Sequence, residues 1–305
     1  MRTSGIGRRP LLRGAAGFAA AGLFAWRTAV RAEGTPARIS IVAAENFYAD
    51  VIGQIAGDNA VLTSIISDPN ADPHEYETIS RDVAAIARAR LIVVNGIGYD
   101  SFMTKLLRAS PNPAREVIVV ASLVGRKDGD NKHLWYDPPT MLRFARTVTR
   151  TLVRIDPDDA GSYRDGLMQF ETSYRPFTGK VGALRSKIAG TPIAVTEPVF
   201  NYMADALGLR VLTPEAFQRA VEEGEDPPAR AIAQMEDQLH GHEAKVLIYN
   251  AQTVTPITEK IKRDAKQFGV PIVGVSETLP SGGLNYQRWM RTQLDALEQA
   301  LGAHP

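Results

Sequence analysis

Arg38-Ile39-Ser40-Ile41-Val42-Ala43-Ala44, followed at once by Phe47 to Ala56 and closed by Gly57, is the stretch that decides the fold. The first run is continuously apolar, as in a short strand buried on both faces. The second places Phe47, Val51, Ile52 and Ile55 at helical spacing, and Gly57 is a stop signal. Working outward, the same alternation recurs. Val61 to Ile66 and Leu91 to Asn95 read as strands, with a helix from Ser80 to Ala89 between them. Glu116 to Val120 is a fourth strand. Continuous runs alternating with helices predict a parallel sheet covered on both sides.

A long helical stretch follows from Asp158 to about Ile188, with Pro176 as a candidate kink. A second α/β pattern then begins. Pro192 to Thr196, Lys245 to Asn250 and Pro271 to Val275 read as strands. Val199 to Ala206, Thr255 to Phe268 and Tyr286 to Leu301 read as helices. The expected fold is α/β, with two parallel-sheet lobes joined by a single long helix. Its expected divisions are an export signal at 1–32, a first lobe at 37–155, the bridging helix at 156–190 and a second lobe at 191–302.

The first residues have the signal's three parts. Arg2, Arg8, Arg9 and Arg13 precede an apolar run from Gly14 to Trp26, and Ala29-Val30-Arg31-Ala32 offers a cleavage site after Ala32. Arg8-Arg9-Pro10-Leu11-Leu12-Arg13 resembles a twin-arginine export motif. An ordinary Sec signal with two adjacent arginines is the alternative. The 305 residues contain no cysteine, so disulfides, thiolate zinc sites, a nucleophilic thiol and a cysteine-linked lipid are excluded. The expected endpoint is a periplasmic protein that is not lipid-anchored. A net charge of +1 gives no electrostatic case for nucleic acid.

Ligands of open parallel sheets bind beyond the carboxyl ends of the strands. Four residues with metal-ligand chemistry fall there: His74 after the 61–66 strand, His133 after the 116–120 strand, Glu197 after the 192–196 strand and Glu277 after the 271–275 strand. Two come from each half, so a cleft between lobes would gather them. Two imidazoles and two carboxylates suit manganese, iron or zinc, and the carboxylates balance a dication's charge. Each residue also has a structural alternative. Glu197 before Pro198 could cap the next helix, Glu277 could do likewise, and His74 and His133 could be surface loop residues. His240 and His242 precede the 245–250 strand, at its amino end, and read as solvated surface. No His-Glu-x-x-His, Gly-x-Ser-x-Gly or phosphate-loop motif occurs, so no enzyme is expected.

At these residues the chain resembles the zinc/manganese family of periplasmic solute-binding proteins, the receptors of metal ABC importers. Ala43-Ala44-Glu45-Asn46-Phe47-Tyr48 resembles its opening strand and turn. Asp72-Pro73-His74-Glu75-Tyr76-Glu77 and His133-Leu134-Trp135-Tyr136-Asp137-Pro138 resemble its two His segments. Thr196-Glu197 with Phe200 and Tyr202, and Ser276-Glu277-Thr278-Leu279, resemble the third- and fourth-ligand segments. Glu277 departs from the usual Asp by one methylene. The resemblance implies metal ligands at His74, His133, Glu197 and Glu277. It also implies zinc or manganese as cargo with iron as a third candidate, a permease and ATPase of an ABC importer in the inner membrane as partners, and a monomeric receptor. Asp137 or Glu77 is the expected acceptor for the second ring nitrogen of a ligating histidine. The rival readings are a metal-dependent hydrolase and a periplasmic metallochaperone or adhesion protein.

Overall fold

A computed structural model describes residues 38–68, 76 and 79–302. The expected signal at 1–32 and the ligand candidate His74 lie outside the described residues, as do Glu77 and His304. Residues from Arg38 onward form one compact unit.

Two four-stranded sheets carry the fold. The first holds β1 (Ile39–Glu45), β2 (Ala60–Ile66), β3 (Leu91–Val94) and β4 (Glu116–Val119) in the order β2-β1-β3-β4. The second holds β5 (Pro192–Val195), β6 (Arg210–Val211), β7 (Leu247–Asn250) and β8 (Ile272–Val275) in the order β6-β5-β7-β8. Every pairing is parallel. The two orders are the same, and in each the chain reverses direction of growth beside its first strand. That reversal leaves a crevice at the carboxyl ends, where ligands of such sheets bind.

The helices are α1 (Asn46–Ala56), α2 (Ser80–Arg88), α3 (Ser101–Ala109), α4 (Val120–Leu123), α5 (Pro138–Ile155), α6 (Ala160–Ile188), α7 (Asn201–Leu207), α8 (Glu215–Glu222), α9 (Ala229–His240), α10 (Pro256–Gln267) and α11 (Tyr286–Ala300). α6 joins the two halves and runs unbroken through Pro176. It packs on α1 closely enough that a Cβ on Gly166 would lie 2.2 Å from the Ile55 carbonyl oxygen. No described helix is long and apolar enough to cross a membrane.

The core is continuous between the halves. One buried cluster runs from Ile41, Phe47 and Ile52 through Trp135, Phe144 and Phe177 to Ile193, Phe200, Trp289 and Leu294. Polar ties cross the same boundary. Asn46 donates its Nδ2 to the Leu279 carbonyl at 2.8 Å and accepts the Leu279 N–H at 2.9 Å. Asp50 accepts the Tyr286 N–H at 2.8 Å. On the opposite flank Asn131 Nδ2 donates to the Pro198 carbonyl at 2.8 Å, and the Tyr202 hydroxyl donates to the Asn131 carbonyl at 2.9 Å. Buried phenols add two more, Tyr136 to the Ser276 carbonyl at 2.7 Å and Tyr286 to the Trp135 carbonyl at 2.6 Å.

Candidate metal centre

His133, Glu197 and Glu277 stand at the carboxyl ends of β4, β5 and β8, and the fold brings all three to one buried place. His133 is wholly buried in a loop fixed by Asn131. The Asn131 Oδ1 accepts the His133 backbone N–H at 3.0 Å and lies 2.8 Å from ring Nδ1. An amide oxygen only accepts, so Nδ1 carries the proton and the Nε2 lone pair is left open. Nε2 has no hydrogen-bond partner and sits 3.7 Å from Glu277 Oε2. At that distance the pair is electrostatic rather than hydrogen-bonded. Asn131 thus fills the outer-acceptor role expected of Asp137 or Glu77. Asp137 is engaged by the Thr140 hydroxyl instead.

Glu197 lies two residues past the end of β5 and occupies the N-cap position before the turn Pro198–Phe200, yet its side chain caps nothing. The carboxylate turns inward, 2% of the residue exposed, and Oε2 accepts from Asn250 Nδ2 at 3.0 Å. Oε1 is buried with no partner. Burial, then the neighbouring Glu277 charge, push this carboxyl up to about 7, against the pull of Asn250. Glu277 accepts from Asn250 Nδ2 at 2.7 Å on Oε1 and from the Tyr99 hydroxyl at 2.9 Å on Oε2. Its backbone N–H and that of Thr278 are held by Gln252 Oε1.

Around this trio lie further acids. Glu222, the last residue of α8, has a buried Oε1 without a hydrogen-bond partner, 3.9 Å from His133 Nδ1. Glu222 also lines a cleft of about 550 Å³ with Asp130, Lys132, Arg219 and Glu223. Glu45 ends β1 fully buried, and neither carboxylate oxygen has a hydrogen-bond partner. Burial and then Asp100 hold its carboxyl well above the usual range. Burial draws the His133 imidazolium down. The carboxylates of Glu277, Glu222 and Glu197 outweigh that and raise it. The site therefore gathers more carboxyl groups than a dry interior lets ionise together, and a cation would favour their charged forms.

Tyr99 and Asp100 reach the site on a strained turn. Ile97 has φ 46° between Gly96 at 86° and Gly98 at 80°. A β-branched residue rarely adopts that conformation. Asp100 braces the turn by accepting the backbone N–H groups of Asn95 at 2.6 Å and Gly96 at 3.0 Å.

Among the described residues, no three His, Asp or Glu side chains stand already arranged as a metal-holding cluster. Asn250 and Tyr99 engage the carboxylates that would close on an ion. His240 and His242 are exposed, with the His240 ring edge-on to Phe268, far from the carboxyl ends as expected. Sequence reading missed Asn250, Tyr99, Asn131, Glu222 and Glu45. Asn250 and Glu45 are last residues of strands, so the rule that found Glu197 and Glu277 points to them too. Glu222 ends a helix and has no such signal.

Known proteins resemble this chain over nearly its whole length. The metal ABC transporter substrate-binding lipoprotein SsaB of Streptococcus sanguinis is 24% identical, covering 92% of this chain and 94% of that protein. The iron ABC transporter substrate-binding lipoprotein MtsA of Streptococcus pyogenes is 22% identical over 87% of this chain and 89% of its own. Among solved structures, the substrate-binding protein FpvC of Pseudomonas aeruginosa with nickel aligns at a TM-score of 0.72 and 22% identity, covering 88% of this chain and 98% of that one. A manganese-bound periplasmic metal-binding protein of Candidatus Liberibacter asiaticus aligns at 0.69 and 16% identity, covering 87% and 100%. These two structures establish the likeness of fold.

The names of the relatives correct one expectation. A free periplasmic protein that is not lipid-anchored was expected from the lack of cysteine, but the relatives are lipoproteins. A missing thiol excludes only a lipid joined to cysteine; it does not establish that a chain is free of the membrane surface. The model of the zinc-uptake complex component A periplasmic family, ZnuA, matches residues 41–300, and the chain belongs to that family of substrate-binding proteins.

Proposed function

We propose that this chain captures one divalent transition-metal ion, zinc or manganese with iron as a third candidate, and passes it to the permease and ATPase of an ABC importer. The relatives named as metal and iron transporter receptors support the cargo class and the partners. The single observation that carries the site is the buried His133 Nε2 without a hydrogen-bond partner, 3.7 Å from a carboxylate oxygen of Glu277. Glu197 Oε1, also buried and without a partner, would supply a third donor. His74 is the proposed fourth.

His133 binds as the neutral ring with Nδ1–H on Asn131, which fixes its tautomer and aim. Glu197 and Glu277 bind as carboxylates and offset the charge of the ion. Residues 1–32 serve as an export signal, 156–190 as the bridge, and 37–155 and 191–302 as the two lobes. The receptor works as a monomer and catalyses no reaction.

Elemental analysis of protein purified without added metal, followed by competition titration, tests the reading. One equivalent of zinc, manganese or iron at high affinity is expected. At about 100 times the dissociation constant, metal adds ~2.7 kcal/mol of stability by mass action. No bound metal and no thermal shift would sink the proposal. Turnover of an ester or phosphoester with added metal would overturn the non-enzyme part.

A further inference from the structure

Register within the two sheets makes Glu45 the counterpart of Glu197. In the first sheet Ala43 lies opposite Val93, and two residues further along stand Glu45 and Asn95. In the second sheet Val195 lies opposite Ile248, and two residues further along stand Glu197 and Asn250. β1 and β5 also hold the same place in their strand orders. Each lobe thus offers a glutamate and an asparagine on neighbouring strands at its carboxyl ends.

The two amides are used differently. Asn250 Nδ2 donates to Glu197 Oε2 at 3.0 Å. Asn95 makes no bond to Glu45. Its Oδ1 accepts the Tyr48 hydroxyl at 2.6 Å, and its Nδ2 donates to the Lys132 and Gly96 carbonyls at 3.0 and 3.2 Å. Glu45 is left wholly buried with no hydrogen-bond partner on either oxygen. Protonation does not cure this, because the neutral group brings an O–H donor that equally lacks an acceptor. A buried polar group without a partner points to a water or an ion that belongs there.

The surroundings of Glu45 favour an ion. By strand alternation it projects from the face of β1 that carries Ile41 and Ala43, the side that packs with Tyr99 and Trp135. Burial, then the charges of Glu277 and Glu45, raise the Tyr99 hydroxyl, so both acids lie beside one phenol. That hydroxyl donates to Glu277 Oε2 at 2.9 Å, and the Tyr99 ring stands 6.0 Å from the His133 ring.

We propose that Glu45 is a further metal donor, the first lobe's counterpart of Glu197, and that its oxygen turns the centre toward manganese rather than zinc. The inference rests on the metal-binding reading above. Drawing Glu45 onto an ion breaks no hydrogen bond, since it makes none. With Glu197 and Glu277 it carries one charge more than a dication. Asn250 Nδ2 and the Tyr99 hydroxyl, which already donate to those two acids, offset the excess. Zinc is satisfied by four donors in a tetrahedron, whereas manganese takes about six and prefers oxygen. An added carboxylate therefore helps manganese more.

The test is competition titration of zinc and of manganese against the full chain, for the parent and Glu45→Met. Methionine keeps the length of the side chain and removes both oxygens. The lost charge weakens both dications alike and cancels in the ratio of their dissociation constants, whereas a lost bond to manganese does not cancel. The manganese-to-zinc ratio should rise by about tenfold. A ratio within about threefold of the parent's overturns the proposal. A parent that binds neither metal sinks the underlying site reading, and this inference falls with it, so the two failures are distinct. Should E45M not fold, a crystal structure of the manganese-loaded parent decides. A Glu45 oxygen within about 2.6 Å of the ion supports the proposal, and both oxygens lying farther away overturn it.

Discussion

Replacing Glu197 with glutamine changes the charge of the site while keeping its shape, and its effect on the metal-free protein follows from the geometry. In the fold this carboxyl is raised from 4.5 to about 7, first by burial and then by Glu277. A raised carboxyl binds its proton more tightly folded than unfolded. Stability from this group is therefore full below 4.5 and is lost as pH rises to about 7, the reverse of a salt-bridged acid. At ~1.4 kcal/mol per pH unit the window corresponds to about 3 kcal/mol, most of it between about pH 5 and 8. Glutamine escapes that loss. Its own NH₂ would stand where Oε1 now lacks a partner, which costs about 1–3 kcal/mol at every pH. The pH-independent cost cancels when the two conditions are compared. Urea unfolding of parent and Glu197→Gln with a chelator present, at pH 5 and pH 8, should show the variant gaining about 2–3 kcal/mol on the parent between them. A gain below about 1 kcal/mol, or a change of opposite sign, would refute the reasoning.

Metal affinity of the parent should fall as pH drops below about 7, because Glu197 must lose its proton to bind, as must the raised His133. Calorimetry in buffers of different ionisation heat reads the protons released, and zero release at pH 6 would contradict the assignment. His133→Ala should weaken binding by more than the ~10–100-fold typical of losing an outer-shell partner, with near-native circular dichroism. Retained affinity would place the site elsewhere. Gly166→Ala should lower stability by about 1–3 kcal/mol in thermal unfolding, since the new methyl meets the Ile55 carbonyl oxygen at 2.2 Å. An unchanged melting temperature would mean α1 and α6 separate more easily than their packing implies.

The strands were the legible part of the fold because burial on both faces writes itself as unbroken apolar runs. β3 is buried at all four positions and reads from four letters, Leu91 to Val94. Ends were less sharp. The fourth strand stops at Val119, where Val120 already begins α4, because a β-branched residue suits either state in a dry interior. β6 was missed, since two residues at a sheet edge make no pattern. α3, α4, α5, α8 and α9 were also missed. α5 has clear signals in retrospect, Asp137 ahead of Pro138 and Pro139, then Met141, Phe144, Ala145, Val148 and Leu152 on its buried face. α6 was legible despite Gly166 and Pro176 because its aromatic positions, Tyr163, Phe170, Tyr174 and Phe177, keep helical spacing.

The site was legible to the extent that strand ends carry chemistry. His133, Glu197 and Glu277 converge as their places in the sheet order require. The partners that orient them were not legible, because amides and phenols become informative only when something charged is seen beside them. Asn131 lies two residues before His133 and still has no one-dimensional mark, since its role depends on the loop turning back on itself.

The ties from Asn46 and Asp50 to the 279–286 segment, and from Asn131 and Tyr202 across the other flank, clamp the crevice from both sides. A receptor fastened in this way has no wide jaws to swing. On the proposed reading its loaded and empty forms are expected to differ in the posture of a few side chains and loops near the mouth, so that a docking importer would sense local texture rather than overall shape. Unloading then becomes a matter of prising single donors off the cargo in turn, with the body of the carrier standing still.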